Sequence, residues 1–307
     1  MPLVDAGTDS GRSEMMAGAG ASATPVWPEG GYTAPPPPPP VSRAGVGAPP
    51  TEAGTGGTPA AGAGAPAAPP PPAAASVFRI TELFLRDPHI FVTAVDVTDT
   101  PVLGMSINRT AIPSQLTMDK DGDGQFDQST LLLIKPFDPR VPQGTLRAVD
   151  GRCPVGGGPC TSVPEALDAM WDVDNHLQGS CLTPISGTTG DYRTPITLPQ
   201  PPCFVTGSGV DLTMNFGGTP LDITAVQVSA TYQATPQQLL NGLLFGYVTD
   251  AVAMRAILPS DVGPPAAGTP LANYIRATDK DSAESPNGQS GFWIYFNFVA
   301  RPVGYLE

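Results

Sequence analysis

Four aspartates and a glycine lie close together in the segment TMDKDGDGQFDQST, residues 117–130. The aspartates are Asp119, Asp121, Asp123 and Asp127, and Gly124 directly follows the third of them. Carboxylates at alternate positions can point to one centre if the backbone curls, and a glycine allows the sharp turn that this requires. Calcium is a hard cation that takes roughly six to eight such oxygen ligands. The spacing therefore predicts a calcium-binding loop.

This segment resembles the calcium loop of EF-hand proteins and the shorter DxDxDG loops of secreted calcium-binding modules. The resemblance implies that Asp119, Asp121 and Asp123 fill the first, third and fifth ligand positions of the loop. It also implies a backbone carbonyl ligand from Gln125, and it places Asp127 at the ninth position, where a ligand often acts through water. The resemblance covers about a dozen of the 307 residues.

The twelfth position of the loop is Thr130, where EF-hands have a glutamate that binds calcium through both carboxylate oxygens. The flanks, SQLTM and STLLLIKPF, have the composition of strands, so a pair of sensor helices that opens on calcium binding is not implied. We expect the missing ligand to come from elsewhere in the fold or from water, and the Kd to be roughly 10⁻⁴ to 10⁻³ M. The predicted role of the ion is to stabilise the fold.

Two other acidic segments carry weaker patterns. The first contains Asp168, Asp172, Asp174 and His176. These residues could bind a metal or act as an acid–base pair, but the solvated end of a helix is the interpretation we favour. The second has an Asp-Lys-Asp sequence at Asp279 and Asp281 without the third aspartate and the glycine, which favours a polar surface turn.

Motifs for nucleophilic and phosphate chemistry are missing from the sequence. The segment GQSGF lacks the last glycine of a serine nucleophile elbow. No glycine-rich segment stands between a strand pattern and a helix pattern, as a phosphate-binding loop requires. Paired carboxylates for glycoside cleavage stay open, because such residues can come from distant parts of a chain.

The overall charge limits the classes of partner. The chain has 28 acidic and 15 basic residues and a formal net charge of -13, which argues against nucleic acids and anionic membrane surfaces as partners. The sequence has no stretch of about 20 uncharged apolar residues, so no transmembrane segment is expected.

The cysteines suggest the compartment. They are Cys153, Cys160, Cys181 and Cys203. The short glycine-rich segment CPVGGGPC favours pairing of Cys153 with Cys160, which leaves Cys181 for Cys203, although other pairings stay open. The spacing lacks the CxxC pairs of a zinc site. Two disulfides would indicate an oxidising, extracytoplasmic compartment, and a cytosolic protein with free thiols is the alternative.

The N-terminal part differs in composition from the rest. Residues 1–75 are rich in Pro, Gly and Ala and include proline runs at 35–40 and 69–72. Such a segment has too few large apolar side chains to offset the entropy of ordering. We expect a disordered stalk or linker, similar in composition to the stalk of a bacterial envelope protein; a polyproline ligand for a partner domain is the alternative. No signal-peptide pattern is visible, so we expect a misplaced or truncated start or another export route.

Residues 76–307 are predicted to form a single β-rich domain. Strand patterns occur at 76–87, 89–99, 129–139, 209–218, 221–233 and 291–305. The last is apolar on both faces, which predicts a central strand covered on both sides. Helix patterns with capping signals occur at 162–172 and 234–258, with a pair of strands as the alternative for the second. The expected fold is mainly β: an antiparallel β-sandwich of jelly-roll type with one or two short helices.

These features together suggest two functions. We expect an exported, calcium-stabilised, non-catalytic module that serves as a structural or binding domain of a cell-surface or secreted protein, with carbohydrate or an envelope protein as partner. The alternative is a secreted hydrolase, acting on polysaccharide, in which calcium is structural. The fold class does not decide between them, because sandwiches host both.

Overall fold

The computed structural model describes residues 75–101, 104, 106–164, 167–207, 209–216, 219–258 and 266–307. The chain divides into two units, Met1–Ala67 and Ala68–Glu307, and every described residue belongs to the second. The predicted stalk therefore lies outside the described residues, apart from Ala75.

The described part of the chain is built mainly from strands. They are β1 (Ser76–Asp87), β2 (Phe91–Val92), β3 (Val95–Asp96), β4 (Thr130–Lys135), β5 (Gln143–Arg152), β6 (Cys160–Ser162), β7 (Asp168–His176), β8 (Cys203–Thr206), β9 (Val210–Phe216), β10 (Thr219–Ala234), β11 (Gln237–Thr249), β12 (Gly291–Pro302) and β13 (Tyr305–Leu306). The α-helices are α1 (Ile112–Thr117) and α2 (Asp250–Arg255). A π-helical turn at Ile107–Ala111 leads into α1, and 3-10 turns lie at Leu271–Tyr274, Ala277–Asp279 and Ser282–Glu284.

Eight of the strands close into an antiparallel barrel, so the predicted sandwich is wrong. Their order around the barrel is β5, β4, β1, β12, β11, β10, β8 and β7. The barrel closes because β7 pairs back with β5, with Leu146 opposite Trp171. In sandwiches and barrels alike, inward-facing and outward-facing residues alternate along strands that are joined by turns. The two folds differ in whether the outermost strands of the sheet pair with each other. The local sequence pattern therefore does not predict the long-range pairing of β5 with β7.

The inward side chains of these strands fill the barrel with one apolar cluster. Phe78, Trp171, Phe204 and Phe296 belong to it, and all four are buried. The central position predicted for β12 is confirmed, because β12 lies between β1 and β11 and nine of its twelve residues are buried. Its other face carries Trp293 in a separate aromatic cluster outside the barrel. Both faces are apolar because both are covered.

Both segments predicted as helices are mainly strand in the structure, and the second is closer to the alternative of a pair of strands. The segment 162–172 contains the end of β6 and half of β7, and its residues 165 and 166 lie outside the described residues. The segment 234–258 is mostly β11, entered through a turn at Thr235 and Pro236, and only its end forms α2. The reverse error occurs before the acidic loop, where residues 114–117 of SQLTM belong to α1 and not to a strand, and Met118 is the C-cap. Burial of both faces hides the strand period of β11, whereas β7 alternates between exposed and buried residues as a half-buried strand does.

Candidate metal centre

The acidic loop connects α1 to β4 and is closed by its own backbone. The amide of Asp127 donates to the Met118 carbonyl at 2.9 Å, which brings the two ends of the loop together. The amide of Lys120 donates to Oδ1 of Asp127 at 2.9 Å, across the same gap. The loop therefore has a helix on one side and a strand on the other, which differs from both the EF-hand and the strand-flanked loop predicted above.

Asp119 organises the turn. Its Oδ1 accepts from the amides of Gly122 at 2.7 Å and Asp123 at 3.1 Å, and its Oδ2 accepts from the Gly124 amide at 2.8 Å. Gly122 and Gly124 have φ of 75° and 84°, in the left-handed region that glycine adopts without strain. Partial desolvation acts to raise the pKa of Asp119, but these donated hydrogen bonds outweigh it and hold the pKa below its ordinary value. The carboxylate is therefore kept ionised.

Three of the four predicted aspartates converge. Asp119, Asp121 and Asp127 each offer a carboxylate oxygen, and these oxygens lie within 4.8 Å of one another. Asp123 is not part of this cluster, and its Oδ1 accepts from the Gln125 amide at 2.8 Å. Elsewhere in the described ranges, no other group of three His, Cys, Asp or Glu side chains comes as close together. This arrangement could hold a metal ion that prefers oxygen ligands.

A neighbouring segment fixes the second half of the loop. Gln125 forms an antiparallel bridge with Pro154, and the amide of Phe126 donates to the Cys153 carbonyl at 3.0 Å. The Val155 amide donates to the Gly124 carbonyl at the same distance. A disulfide between Cys153 and Cys160 closes this neighbouring segment. The loop is thus held against a covalently closed turn.

Phe126 joins the loop to the barrel wall. Its ring lies 3.8 Å from the guanidinium carbon of Arg79, a residue of β1 that is only 8% exposed. Arg79 also donates from Nε to Oγ of Ser129 at 3.1 Å and from its terminal nitrogen to the Leu116 carbonyl in α1. Burial lowers the pKa of Arg79, which nevertheless stays charged because an arginine titrates far above neutral pH. Sequence reasoning missed Arg79, since nothing near it in the sequence indicates a partner.

The four cysteines pair as the sequence favours, with Cys153 bonded to Cys160 and Cys181 bonded to Cys203. No free cysteine remains among them. Two disulfides indicate an oxidising, extracytoplasmic environment, because thiols are kept reduced in the cytosol.

The other acidic segments behave differently from the predictions. Asp168, Asp172 and Asp174 are exposed along one face of β7 rather than at a helix end. Asp168 forms a two-pronged ion pair with Arg147, at 2.6 and 2.7 Å, which holds the pKa of Asp168 below its ordinary range. Asp281 is only 8% exposed and accepts from the Trp293 amide at 2.9 Å, so the prediction of a polar surface turn is wrong for this residue.

A cleft of about 700 Å³ lies beside β7 and β10. Four aspartates line it: Asp150, Asp168, Asp211 and Asp222. Burial raises the pKa of Asp150, and the hydrogen bond that it accepts from the Leu167 amide offsets only part of this effect. The cleft thus combines Asp150, whose pKa is raised, with Asp168, whose pKa is lowered, and acid–base chemistry uses such differences between carboxyl groups.

Comparisons of the chain with known protein families, with curated proteins and with solved structures gave no match. Within the described ranges, no helix has the length and apolar character that crossing a membrane requires.

Proposed function

We propose that the barrel is a calcium-stabilised, non-catalytic module of a secreted or cell-surface protein, with a structural or binding role. The convergence of Asp119, Asp121 and Asp127 carries this proposal. The two disulfides support an extracytoplasmic location. Carbohydrate or an envelope protein is the class of partner that we expect.

Calcium explains why three negative charges lie in one tight bend. Without a cation their mutual repulsion opposes the folded loop, and a divalent ion at their centre converts that repulsion into attraction. Backbone carbonyls and water can supply the remaining oxygens, because calcium accepts irregular coordination. An ion that binds only the folded state stabilises it by about 1.4 kcal/mol at a concentration ten times its Kd. At a Kd of roughly 10⁻⁴ to 10⁻³ M this condition is met at millimolar calcium.

The surroundings of the loop favour a structural role for the ion. The loop contacts α1, β1 and the turn closed by Cys153 and Cys160, so a rigid loop holds these parts together. Asp121 and Asp127 are exposed, as suits an ion that exchanges with millimolar calcium outside the cell.

Calorimetric calcium titration and thermal melting test this proposal. We expect calcium at about 10 mM to raise the Tm of the wild type by several degrees. Asp121→Ala removes one ligand and should abolish the shift. Asp174→Ala, which changes an exposed aspartate of β7, is the matched control and should keep the full shift. A wild-type Tm that calcium leaves unchanged would refute the proposal.

Asp119→Ala separates two roles of the carboxylates, which are to accept hydrogen bonds from the loop backbone and to bind the ion. Asp119 accepts three backbone amides without any ion, whereas Asp121 accepts one, from Asp123 at 3.2 Å. We expect Asp119→Ala to lower the Tm even with EDTA present and Asp121→Ala to lower it only in calcium. If the two variants lost equal amounts of Tm in EDTA, the division of roles between Asp119 and Asp121 would be contradicted.

A second candidate function is a secreted polysaccharide hydrolase with a structural calcium. The acidic cleft beside β7, with the raised pKa of Asp150, favours it. Turnover of soluble and insoluble polysaccharides is the test. An activity that Asp150→Asn removes, and that Asp121→Ala leaves intact in stabilising buffer, would replace the non-catalytic module by the hydrolase.

A further inference from the structure

A long segment without helix or strand crosses the outside of the barrel. It comprises residues 181–202, all of them described, and lies between β7 and β8; we refer to it as the strap. The disulfide between Cys181 and Cys203 joins its beginning to the residue that follows its end. The disulfide therefore fixes the two ends of the strap beside each other, so that only the part between them can move away from the barrel surface.

The strap covers an aromatic surface. The outward side chains of β11 and β12 form a cluster of buried residues: Leu243, Phe245, Tyr247, Trp293 and Tyr295. From the strap, Leu182, Ile185 and Ile196 pack against this cluster. If the strap moved away, the aromatic rings would face solvent.

A few polar contacts hold the strap in place. The Tyr295 hydroxyl accepts from the Ile185 amide at 3.2 Å and also bonds to the Thr188 hydroxyl. Asn297 accepts from the Thr197 amide at 2.8 Å and donates to the Thr197 carbonyl at 2.7 Å. These contacts hold the two sides of the strap.

The centre of the strap rests on a carboxyl group. The Gly190 amide donates to Oδ2 of Asp87 at 2.6 Å, and Asp87 is only 3% exposed. Beside this contact, a cavity of about 290 Å³ lies between the strap and β1. Tyr192 stacks on His89 with ring centroids 3.6 Å apart. The packing under the centre is thus less complete than at the two sides.

Asp87 is surrounded mainly by acidic groups. Asp279 and Asp281, in and beside the 3-10 turns, disfavour a negative charge on Asp87. His89, in the connection from β1 to β2, favours that charge. The imidazole of His89 is bonded through Nδ1 to Oδ2 of Asp96 at 2.6 Å. The other titratable neighbours are the phenols of Tyr192 on the strap and Tyr295 on β12, and burial raises the pKa of both.

This environment favours the neutral acid. Burial raises the pKa of Asp87 to about 7, with repulsion from Asp279 and Asp281 adding to it and the Gly190 amide and His89 opposing it. Burial likewise raises the pKa of Asp281 to about 6. The value for Asp87, which the strap contacts through Gly190, exceeds that of an exposed aspartate, so the closed strap binds more protons than an open one. Its stability is therefore greatest at acidic pH and falls as pH rises towards and through 7.

We propose that the strap is a pH-sensitive cover, which lies closed while the carboxyl group of Asp87 beneath Gly190 is protonated and opens when it ionises. Opening exposes the aromatic surface of β11 and β12, while the disulfide keeps the two ends of the strap in place. The inference does not depend on the calcium loop, which lies elsewhere on the barrel.

Hydrogen exchange of the full chain tests the proposal. We expect the protection factors of the strap amides at Ile185, Gly190 and Thr197 to fall by roughly tenfold to a hundredfold between about pH 5 and pH 8.5. Protection factors are corrected for the intrinsic effect of pH on exchange. Amides of the β4–β5 pair should not change, because that pair lies away from the strap. Equal protection of the strap at the two pH values would overturn the proposal.

Two variants identify the group that titrates. Asp87→Asn keeps an oxygen acceptor for the Gly190 amide and cannot ionise, so the strap should stay protected at both pH values. Asp191→Asn changes the exposed neighbour of Gly190 and should behave as the wild type. If Asp87→Asn does not fold, Asp281→Asn removes one facing charge and should reduce the loss of protection. A folded Asp87→Asn or Asp281→Asn protein that loses as much protection as the wild type would assign the effect to another group and overturn the proposal.

Discussion

Arg79 is a buried cation whose contacts join three parts of the chain. Its guanidinium lies against the Phe126 ring, and it donates to the Ser129 hydroxyl and to the Leu116 carbonyl. The side chain of Arg79 thus joins the acidic loop, β1 and α1. A charged group in an apolar wall is tolerated when its donors are satisfied and a ring face balances its charge. Removal of this side chain should loosen the loop even before any ion is considered.

We predict that Arg79→Met lowers the free energy of unfolding by about 2–4 kcal/mol, because it leaves buried acceptors unpaired and removes the cation–π contact. The methionine keeps much of the apolar volume, so the loss reports mainly on polar contacts. Denaturant unfolding in EDTA measures it.

Arg301→Met is the matched control for Arg79→Met. Arg301 lies opposite Arg79 in the pairing of β1 with β12, but it is exposed and forms only a 3.5 Å ion pair with Glu82. Arg301→Met should lower the free energy of unfolding by at most about 0.5 kcal/mol. Similar losses for the two variants would show that the burial of Arg79 has no special weight.

The candidate site was predictable where its residues are local in sequence. Asp119, Asp121 and Asp127 come from nine consecutive residues, and the glycine positions indicate how the chain turns between them. Asp123 follows the same pattern but caps a backbone amide, a choice that depends on local geometry. Arg79 is separated from Ser129 by 50 residues, so only the pairing of β1 with β4 brings them together.

At the scale of elements, β11 shows why apolar periodicity misleads. Leu239, Leu243, Leu244 and Val248 have the spacing of one helix face, and yet they divide between the barrel interior and the surface under the strap. A strand that is buried on both faces is apolar at nearly every position, so helical and strand periodicity fit it equally well. Its glycines carry the missing information, because they mark places where neighbouring strands leave no room for a side chain.

Gly246→Ala distinguishes the two structures. A Cβ at this position would lie 2.4 Å from Cγ2 of Ile223 and 2.8 Å from Cγ2 of Val226. We predict a loss of about 1–3 kcal/mol in the free energy of unfolding, because the neighbours are packed side chains of β10. In an exposed helix the same change would stabilise the protein by up to about 1 kcal/mol.

The control for this substitution is Gly156→Ala. No atom lies within 4 Å of a Cβ built at Gly156, and its φ is not in the left-handed region. Denaturant unfolding should show little change there. A stabilising effect at Gly246 would contradict the strand assignment of β11.

For the whole molecule, closure of the barrel depends on pairings between distant parts of the chain. β1 pairs with β12 near the other end of the domain, and β5 pairs with β7 across the turn that carries the first disulfide. Composition and alternation predict a mainly β domain and four of the eight barrel strands, whereas β7 and β11 were predicted as helices and β5 and β8 were not predicted. Whether the sheet closes is decided by register over the whole domain, so it was not predictable from local pattern.

The two disulfides should have different effects on the molecule. In a chain-entropy description, a cross-link stabilises more as the loop it closes grows. The bonded cysteines are separated by 7 residues in one disulfide and by 22 in the other. Replacement of both cysteines by alanine should therefore cost about 2 kcal/mol for the first pair and about 3 kcal/mol for the second. Denaturant unfolding of the two double variants measures this difference.

Calcium affinity should depend more on the first disulfide than on the second, which is the opposite of the order expected for stability. The carbonyl of Cys153 accepts from the Phe126 amide, and Pro154 forms the bridge with Gln125, so the first disulfide holds the segment against which the acidic loop rests. We predict that Cys153→Ala with Cys160→Ala weakens calcium binding several-fold in calorimetry. Cys181→Ala with Cys203→Ala should leave the affinity unchanged, although it destabilises the protein more. Equal affinities of the two double variants would mean that the loop is held in place by its own hydrogen bonds and by Arg79, without help from the disulfide.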